Sequence, residues 1–210
     1  MMLVVRNTCI RKEDIRARYD LEQANRKMMY LSNKDPLTGA WNRRFLKNAF
    51  DGFAAKHHDT DRPYHFAFVD IDDFKPINDN CGHEYGDAVL RAVARAFGEA
   101  VGDDGYFVRM GGDEFAVLFG ADDPQALLAE AWQQVNVAMP PQKSCAVLPL
   151  GLSIGLLSVP PGCVLSLVEV SREADTALYQ AKDRKEDFRD AANIIAKQVN
   201  PAAGEHESVA

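Results

Sequence analysis

Two consecutive glycines, Gly111-Gly112, stand between two runs dominated by aromatic and β-branched residues, Tyr106-Phe107-Val108 and Phe115-Ala116-Val117-Leu118-Phe119. Such runs favour strands, and paired glycines accept the positive φ angles of a short connection, so residues 106–119 read as a β-hairpin. Its tip carries Asp113 and Glu114. Upstream, His65-Phe66-Ala67-Phe68-Val69-Asp70-Ile71-Asp72-Asp73-Phe74 is a second apolar strand that runs into acids, and a neighbouring strand would set Asp70 beside Asp113. Clustered carboxylates repel unless a cation joins them. A hard divalent ion such as magnesium, held by oxygen ligands and shared with substrate phosphates, is the simplest resolution.

Helices are expected around this core. Phe45, Leu46, Ala49, Phe50 and Phe53 recur at helical spacing, which for Leu46, Phe50 and Phe53 favours core packing over lining a cleft, and Asp59 to Pro63 forms a polar link to the first strand. A short irregular or helical piece reaches Asn80, and Leu90, Val93, Ala94 and Phe97 mark the apolar face of the next helix. After the hairpin, Asp123-Pro124 supplies an N-cap with proline at N1 ahead of Leu127, Leu128, Ala131, Trp132 and Val135, and Pro140-Pro141 ends that helix. Ala146 to Leu157 reads as a strand, and Val170, Ala174, Ala177, Leu178 and Ala181 as a last helix. A central hairpin in place of repeated βαβ units implies an α+β fold, an antiparallel sheet covered by helices.

Before Asp35, Ile10, Asp14, Ala17, Leu21, Ala24, Met28 and Leu31 alternate in steps of four and three, a heptad seam. It fits a coiled coil that pairs two copies, or a single amphipathic helix. Pro36 and Gly39 break the pattern. The expected organisation is an N-terminal helical extension (1–34), a catalytic domain (35–190) and a polar C-terminal tail (191–210) expected to be disordered.

With 210 residues and 47% apolar content, one well-buried domain plus an extension is the expectation. A net charge of −7 argues against a nucleic-acid partner, since phosphate backbones are gripped by lysine and arginine. Cys9, Cys81, Cys145 and Cys163 form no CxxC pair and read as reduced thiols of a cytoplasmic protein. The apolar stretch Met1 to Val5 ends at Arg6, too short for a membrane segment.

Gly111-Gly112-Asp113-Glu114-Phe115 reproduces the motif that names the GGDEF domains, and other segments continue the resemblance. Asp35-Pro36-Leu37-Thr38-Gly39 with Asn42-Arg43-Arg44 resembles the family's opening motif, and Asp70-Ile71-Asp72-Asp73-Phe74-Lys75 its metal strand. Asn78-Asp79, Gly82-His83 and Gly86-Asp87 follow in register, then Ser153-Ile154-Gly155, then Ala174-Asp175 with Ala177-Leu178-Tyr179-Gln180-Ala181-Lys182. The resemblance spans Asp35 to Lys182. It implies a ferredoxin-like palm of the nucleotidyl cyclase kind, and a diguanylate cyclase that condenses two GTP into cyclic di-GMP and two pyrophosphates at an interface between two copies, at least transiently formed.

By the same resemblance Asp70, the carbonyl of Ile71, Asp113 and Glu114 are the ligands of magnesium or manganese, with Asp113 and Glu114 catalytic and Asp113 the candidate proton acceptor. Asn78 and Asp87 match guanine-reading positions, which suits the donor pattern of that base. Phe74, Lys75 and Lys182 match substrate-contacting positions, the lysines at the phosphates. His83 reads equally as a substrate contact or as a cap of the following helix. Two departures stand out. Glu186 occupies the position of a phosphate-reaching arginine, with Arg184 or Lys185 as possible replacements, and Gly102-Asp103-Asp104-Gly105 lacks the arginine of the RxxD product-inhibition site. The first leaves room for an alternative, a GTP-binding signalling module without turnover.

Overall fold

Strand β2 (Tyr64–Asp72) is paired along both edges, antiparallel to β4 (Glu114–Phe119) on one side and to β5 (Gly151–Val159) on the other. The computed structural model describes residues 16, 18–24, 28, 32–139, 150–184 and 192–199, with backbone alone at 136 and 138. It divides into two compact units, residues 1–34 and 35–210. In the first, residues 16, 18–24, 28 and 32 are helical, and Leu21 and Met28 are 62% and 69% exposed. Ile10, Asp14, Ala17 and Leu31 of the heptad seam lie outside the described residues. Among the described residues no helix is long and apolar enough to cross a membrane.

In the second unit β1 (Trp41–Asn42) leads into α1 (Arg43–Asp59), and β2 into α2 (Phe74–Cys81) and α3 (His83–Val101). Then come β3 (Gly105–Gly111), β4, α4 (Pro124–Ala138), β5, α5 (Leu167–Asp183) and β6 (Ala192–Gln198). The sheet order is β1-β3-β4-β2-β5-β6. Its four central strands are antiparallel in the expected ferredoxin-like order, but β1 joins β3 and β6 joins β5 in parallel, which makes the sheet mixed.

Period-two alternation sorts β2 between two cores. Ala67, Val69 and Ile71 pack with α3 and α4, through Val89, Phe97, Leu128 and Trp132. Tyr64 and Phe66 pack under α1 and α5, through Leu46, Phe50, Val170 and Ala174. Leu46, Phe50 and Phe53 are therefore core, as their spacing implies. Asp123 caps α4 as expected, its side chain accepting from the Ala126 amide at 3.0 Å. A capping box formed by Ser166 and Glu169 starts α5.

Two expectations fail here. Residues 192–198, assigned to a disordered tail, form β6 because Asn193 and Ile194 have partners supplied by distant chain: β5 takes the backbone ladder, and the Asn193 amide donates to the Ala181 carbonyl at 2.5 Å. Cys81 is disulfide-bonded, whereas Cys163 is free. The expectation of reduced thiols rested on spacing in sequence, which does not reveal which sulfurs a fold brings together. The expected strand segment 146–149 lies outside the described residues.

Gly155 sets how closely α5 approaches the sheet. A Cβ there would collide with the Ala174 carbonyl oxygen and the Leu178 amide nitrogen, both helix backbone that cannot step aside. Gly155→Ala is expected to cost about 3 kcal/mol, read as a lowered denaturation midpoint in urea. A second test concerns His65, 4% exposed, whose Nε2 donates to the Ala121 carbonyl and whose Nδ1 accepts from the Ser158 hydroxyl, each at 2.9 Å. Burial holds this imidazole below its ordinary value, opposed by the Ala121 hydrogen bond and aided by the nearby His57. The unfolded chain then takes up a proton that the fold resists, so stability is full above about pH 6.5 and falls as the pH drops below it. The stability advantage of wild type over His65→Gln should therefore narrow between about pH 7 and about pH 5 in parallel urea titrations.

Candidate active site

The acids gather at the C-terminal end of β2. Asp70 is paired across the sheet with Glu114 on β4 and with Ser153 on β5, so its neighbours on the same face come from both sides. Glu114 is thus the first residue of β4 and not part of the turn; the connection is Gly112-Asp113 alone. Pairing with β4 stops at Asp70 while pairing with β5 continues to Asp72, which leaves the Ile71 backbone opposite the hairpin turn without a ladder partner on that side. The Ile71 side chain itself is buried in the α3 core. Its expected role through the carbonyl is compatible with this placement.

Asp70 is 7% exposed. Burial lifts its carboxyl above the ordinary range; a hydrogen bond and the charge of Lys182 pull it back, and Asp113 and Asp72 push it up again. Asp113 and Asp70 are thereby brought within electrostatic reach, as the sequence implies. Lys182 Nζ stands 2.8 Å from Asp70 Oδ2, so the expected phosphate-binding lysine here serves the carboxylate. Asp72, two residues along on the same face, accepts from the Ser153 hydroxyl at 2.8 Å and lies over Gly151, where a Cβ would crowd Asp72 Oδ2. Among the described residues no group of three or more His, Cys, Asp or Glu side chains is placed to hold a metal ion. The side chains near Asp70, those of Asp72, Asp113 and the cross-strand Glu114, offer carboxylate oxygens, the kind of donor a hard cation takes while completing its shell with water or phosphate.

The hairpin turn is wired to the start of the domain. Gly112 has φ 54° and Gly111 φ 150°, with an irregular register between Arg109 and Gly111. Arg109 reaches back over this turn: Nε and Nη2 donate to the Gly112 carbonyl at 3.1 and 2.8 Å, and Nη1 to Asp35 Oδ1 at 3.0 Å. Asp35 also accepts from the Thr38 amide and hydroxyl at 2.9 and 2.7 Å. Burial would raise the Asp35 carboxyl, but these hydrogen bonds and the Arg109 charge outweigh it and hold it below its ordinary value. Neither Arg109 nor Asp72 nor Ser153 is among the site residues expected from sequence. Period-two spacing from Asp70 marks Asp72; nothing local marks the other two.

A second group lies at the corner between α2 and α3. Asp73, with φ 54°, turns β2 directly into α2, a conformation aspartate tolerates better than most residues. Asn78, about 6 Å along that helix from its start, packs on Gly86, where a Cβ would collide with the Asn78 Oδ1 atom. The neighbouring Asp87 is 3.6 Å from Arg91, whose Nε donates to the Leu37 carbonyl at 3.3 Å. Asn78 thus lies against the residue that precedes Asp87 in α3. Phe74 is half-buried against the α3 core, while Lys75 and His83 are exposed. His83 is the first residue of α3, after the N-cap Gly82, so the capping alternative does not hold. Arg184 lines a cavity with Gln125, Ala129 and residues of β6, away from the acids; Lys185 and Glu186 lie outside the described residues.

Because the Arg109–Asp35 pair is only 14% and 18% exposed, removing one member strands a charge. Arg109→Met is expected to lower stability by about 2 kcal/mol, measured by chemical denaturation.

Comparison with known proteins places these features in context. A family model described as "Diguanylate cyclase, GGDEF domain" matches residues 32–187. The chain is 34% identical over 166 residues to the bifunctional diguanylate cyclase/cyclic di-GMP phosphodiesterase MucR of Pseudomonas aeruginosa, covering 78% of this chain and 24% of that protein. It is 33% identical over 157 residues to the probable diguanylate cyclase DgcT of Escherichia coli, covering 73% and 34%. The chain thus spans between about a quarter and a third of these relatives. Among solved structures it resembles the coiled coil and GGDEF domain of DgcB from Caulobacter crescentus in complex with c-di-GMP, with a TM-score of 0.66 and 28% identity over 92% of this chain and all of that one.

Proposed function

The chain belongs to the GGDEF family of diguanylate cyclases, and from that premise we propose that it condenses two GTP into cyclic di-GMP and two pyrophosphates. The observation that carries the reading is the buried Asp70 in electrostatic reach of Asp113, at the end of a strand that continues directly into the helix bearing Asn78. Magnesium or manganese, held by Asp70, the Ile71 carbonyl, Asp113 and Glu114, would stabilise charge developing on the phosphate and favour ionisation of the attacking 3′-hydroxyl. Asp113 sits on the turn as the proton acceptor, held in place by Arg109 through Gly112. Asp87 and Asn78 accept and donate along the guanine edge, a pairing that adenine does not offer. Lys75 and Lys182 bind the phosphates, and Phe74 and His83 contact the substrate.

One domain holds one GTP, and the product contains two equivalent bonds. Two copies must therefore face each other with two-fold symmetry, at least transiently. The exposed Leu21 and Met28, seven residues apart, support a role for residues 1–34 in raising the local concentration of the second copy. The catalytic domain begins at Asp35 and takes in β6, beyond residue 190.

A second reading is a domain that binds GTP without turnover. It is favoured by Glu186 at the arginine position and by Arg184 lining a cavity away from the acids. Incubation with GTP, ATP and magnesium, followed by chromatography, separates the two. Wild type should yield cyclic di-GMP from GTP alone, and Asp113→Asn should yield none while keeping its thermal midpoint. Bound but unconverted GTP would establish the second reading, and an adenine-containing product would overturn the roles of Asn78 and Asp87.

A further inference from the structure

The ammonium of Lys182 lies on one of the two oxygens through which Asp70 would hold a metal, at 2.8 Å from Oδ2. We propose that Lys182 is an exchangeable counter-ion: it neutralises Asp70 until nucleotide arrives, then leaves the carboxylate for the phosphates as a divalent cation takes its place. This rests on the reading of Asp70 and Asp113 as metal ligands.

Three features of the fold favour such an exchange. First, Asp70 cannot stand alone, because it is buried beside Asp113 and Asp72, and an uncompensated charge there is costly. Replacing one cation by another keeps the carboxylate compensated throughout. Second, the lysine backbone is anchored while its head is free to move. Ala181 is fully buried, its carbonyl accepts from the Asn193 amide at 2.5 Å and from the Arg184 N–H at 3.0 Å, and Gly155 holds α5 close to β5. The Lys182 side chain is 42% exposed against 11% for Asp70, so rotation about its own bonds suffices. Third, a lysine is a compact charge on a flexible stem, able to exchange a carboxylate for a triphosphate without a fixed geometry.

The consequence is coupling. Before nucleotide binds, the ion must displace the ammonium; a triphosphate that offers the ammonium another partner removes that competition, so metal and nucleotide each tighten the other.

Titration of the full chain with manganese in the absence of nucleotide, following free ion by electron paramagnetic resonance, tests this without reference to turnover. Lys182→Met should bind the ion about three- to tenfold more tightly than wild type. Arg184→Gln, which removes the same charge from the same helix end but lines a different cavity, should bind as wild type does. Unchanged or weaker binding by Lys182→Met overturns the proposal, as does equal tightening by Arg184→Gln, which would signify only a general field. Lys182→Gln serves as a second variant with the same expected outcome. Should Asp113→Asn leave manganese binding untouched, the metal reading fails, and the proposal with it; a failure confined to the lysine variants leaves that reading standing.

Discussion

A carboxylate at the end of a strand paired on both sides has little access to water, and Asp70 is in that position between β4 and β5. Its charge must be compensated locally, and the arrangement around it follows from that need. Lys182 is delivered from α5, Asp113 from the turn that follows β3, and Asp72 is held aside by Ser153. Two of these three neighbours are acidic, so the site is poised between one lysine and an excess of negative charge. That imbalance is what a cation of higher charge would relieve.

The precision of the site depends on backbone contacts some distance from it. Helix α5 lies close enough to the sheet for Lys182 to reach β2 only because residue 155 has no side chain. The last turn of the same helix is closed by Asn193 from β6. On the opposite flank, Arg109 joins the Gly112 carbonyl to Asp35 and so connects the acidic turn to the first ordered turn of the domain. The two flanks act on different acids: α5 sets the partner of Asp70, and Arg109 sets the position of Asp113.

The corner that carries Asn78 and Asp87 is joined to the acids by continuity of the chain. Asp73 turns β2 into α2 within one residue, so the distance between Asp70 and Asn78 is set by a strand end and one helical turn. Gly86 lets α3 approach α2 closely enough for Asn78 and Asp87 to share a corner. A substrate spanning the two groups would therefore be measured by rigid elements and not by loops.

Local chemistry in the sequence determined a great deal. Paired glycines between apolar runs define the hairpin, and period-two alternation places Asp70 at a strand end. Proline after Asp123 starts α4, and Asn78 and Asp87 stand at the spacing of the family's motifs. These features are legible because each depends on residues within a few positions of one another. Only the tertiary structure decided that 192–198 is a strand, that Glu114 pairs with Asp70, that Lys182 faces Asp70, and that Arg109 bridges the turn to Asp35. Each of these joins residues far apart in the chain. Their partners are chosen by packing and by charge compensation, which depend on proximity in space and leave no local period in the sequence.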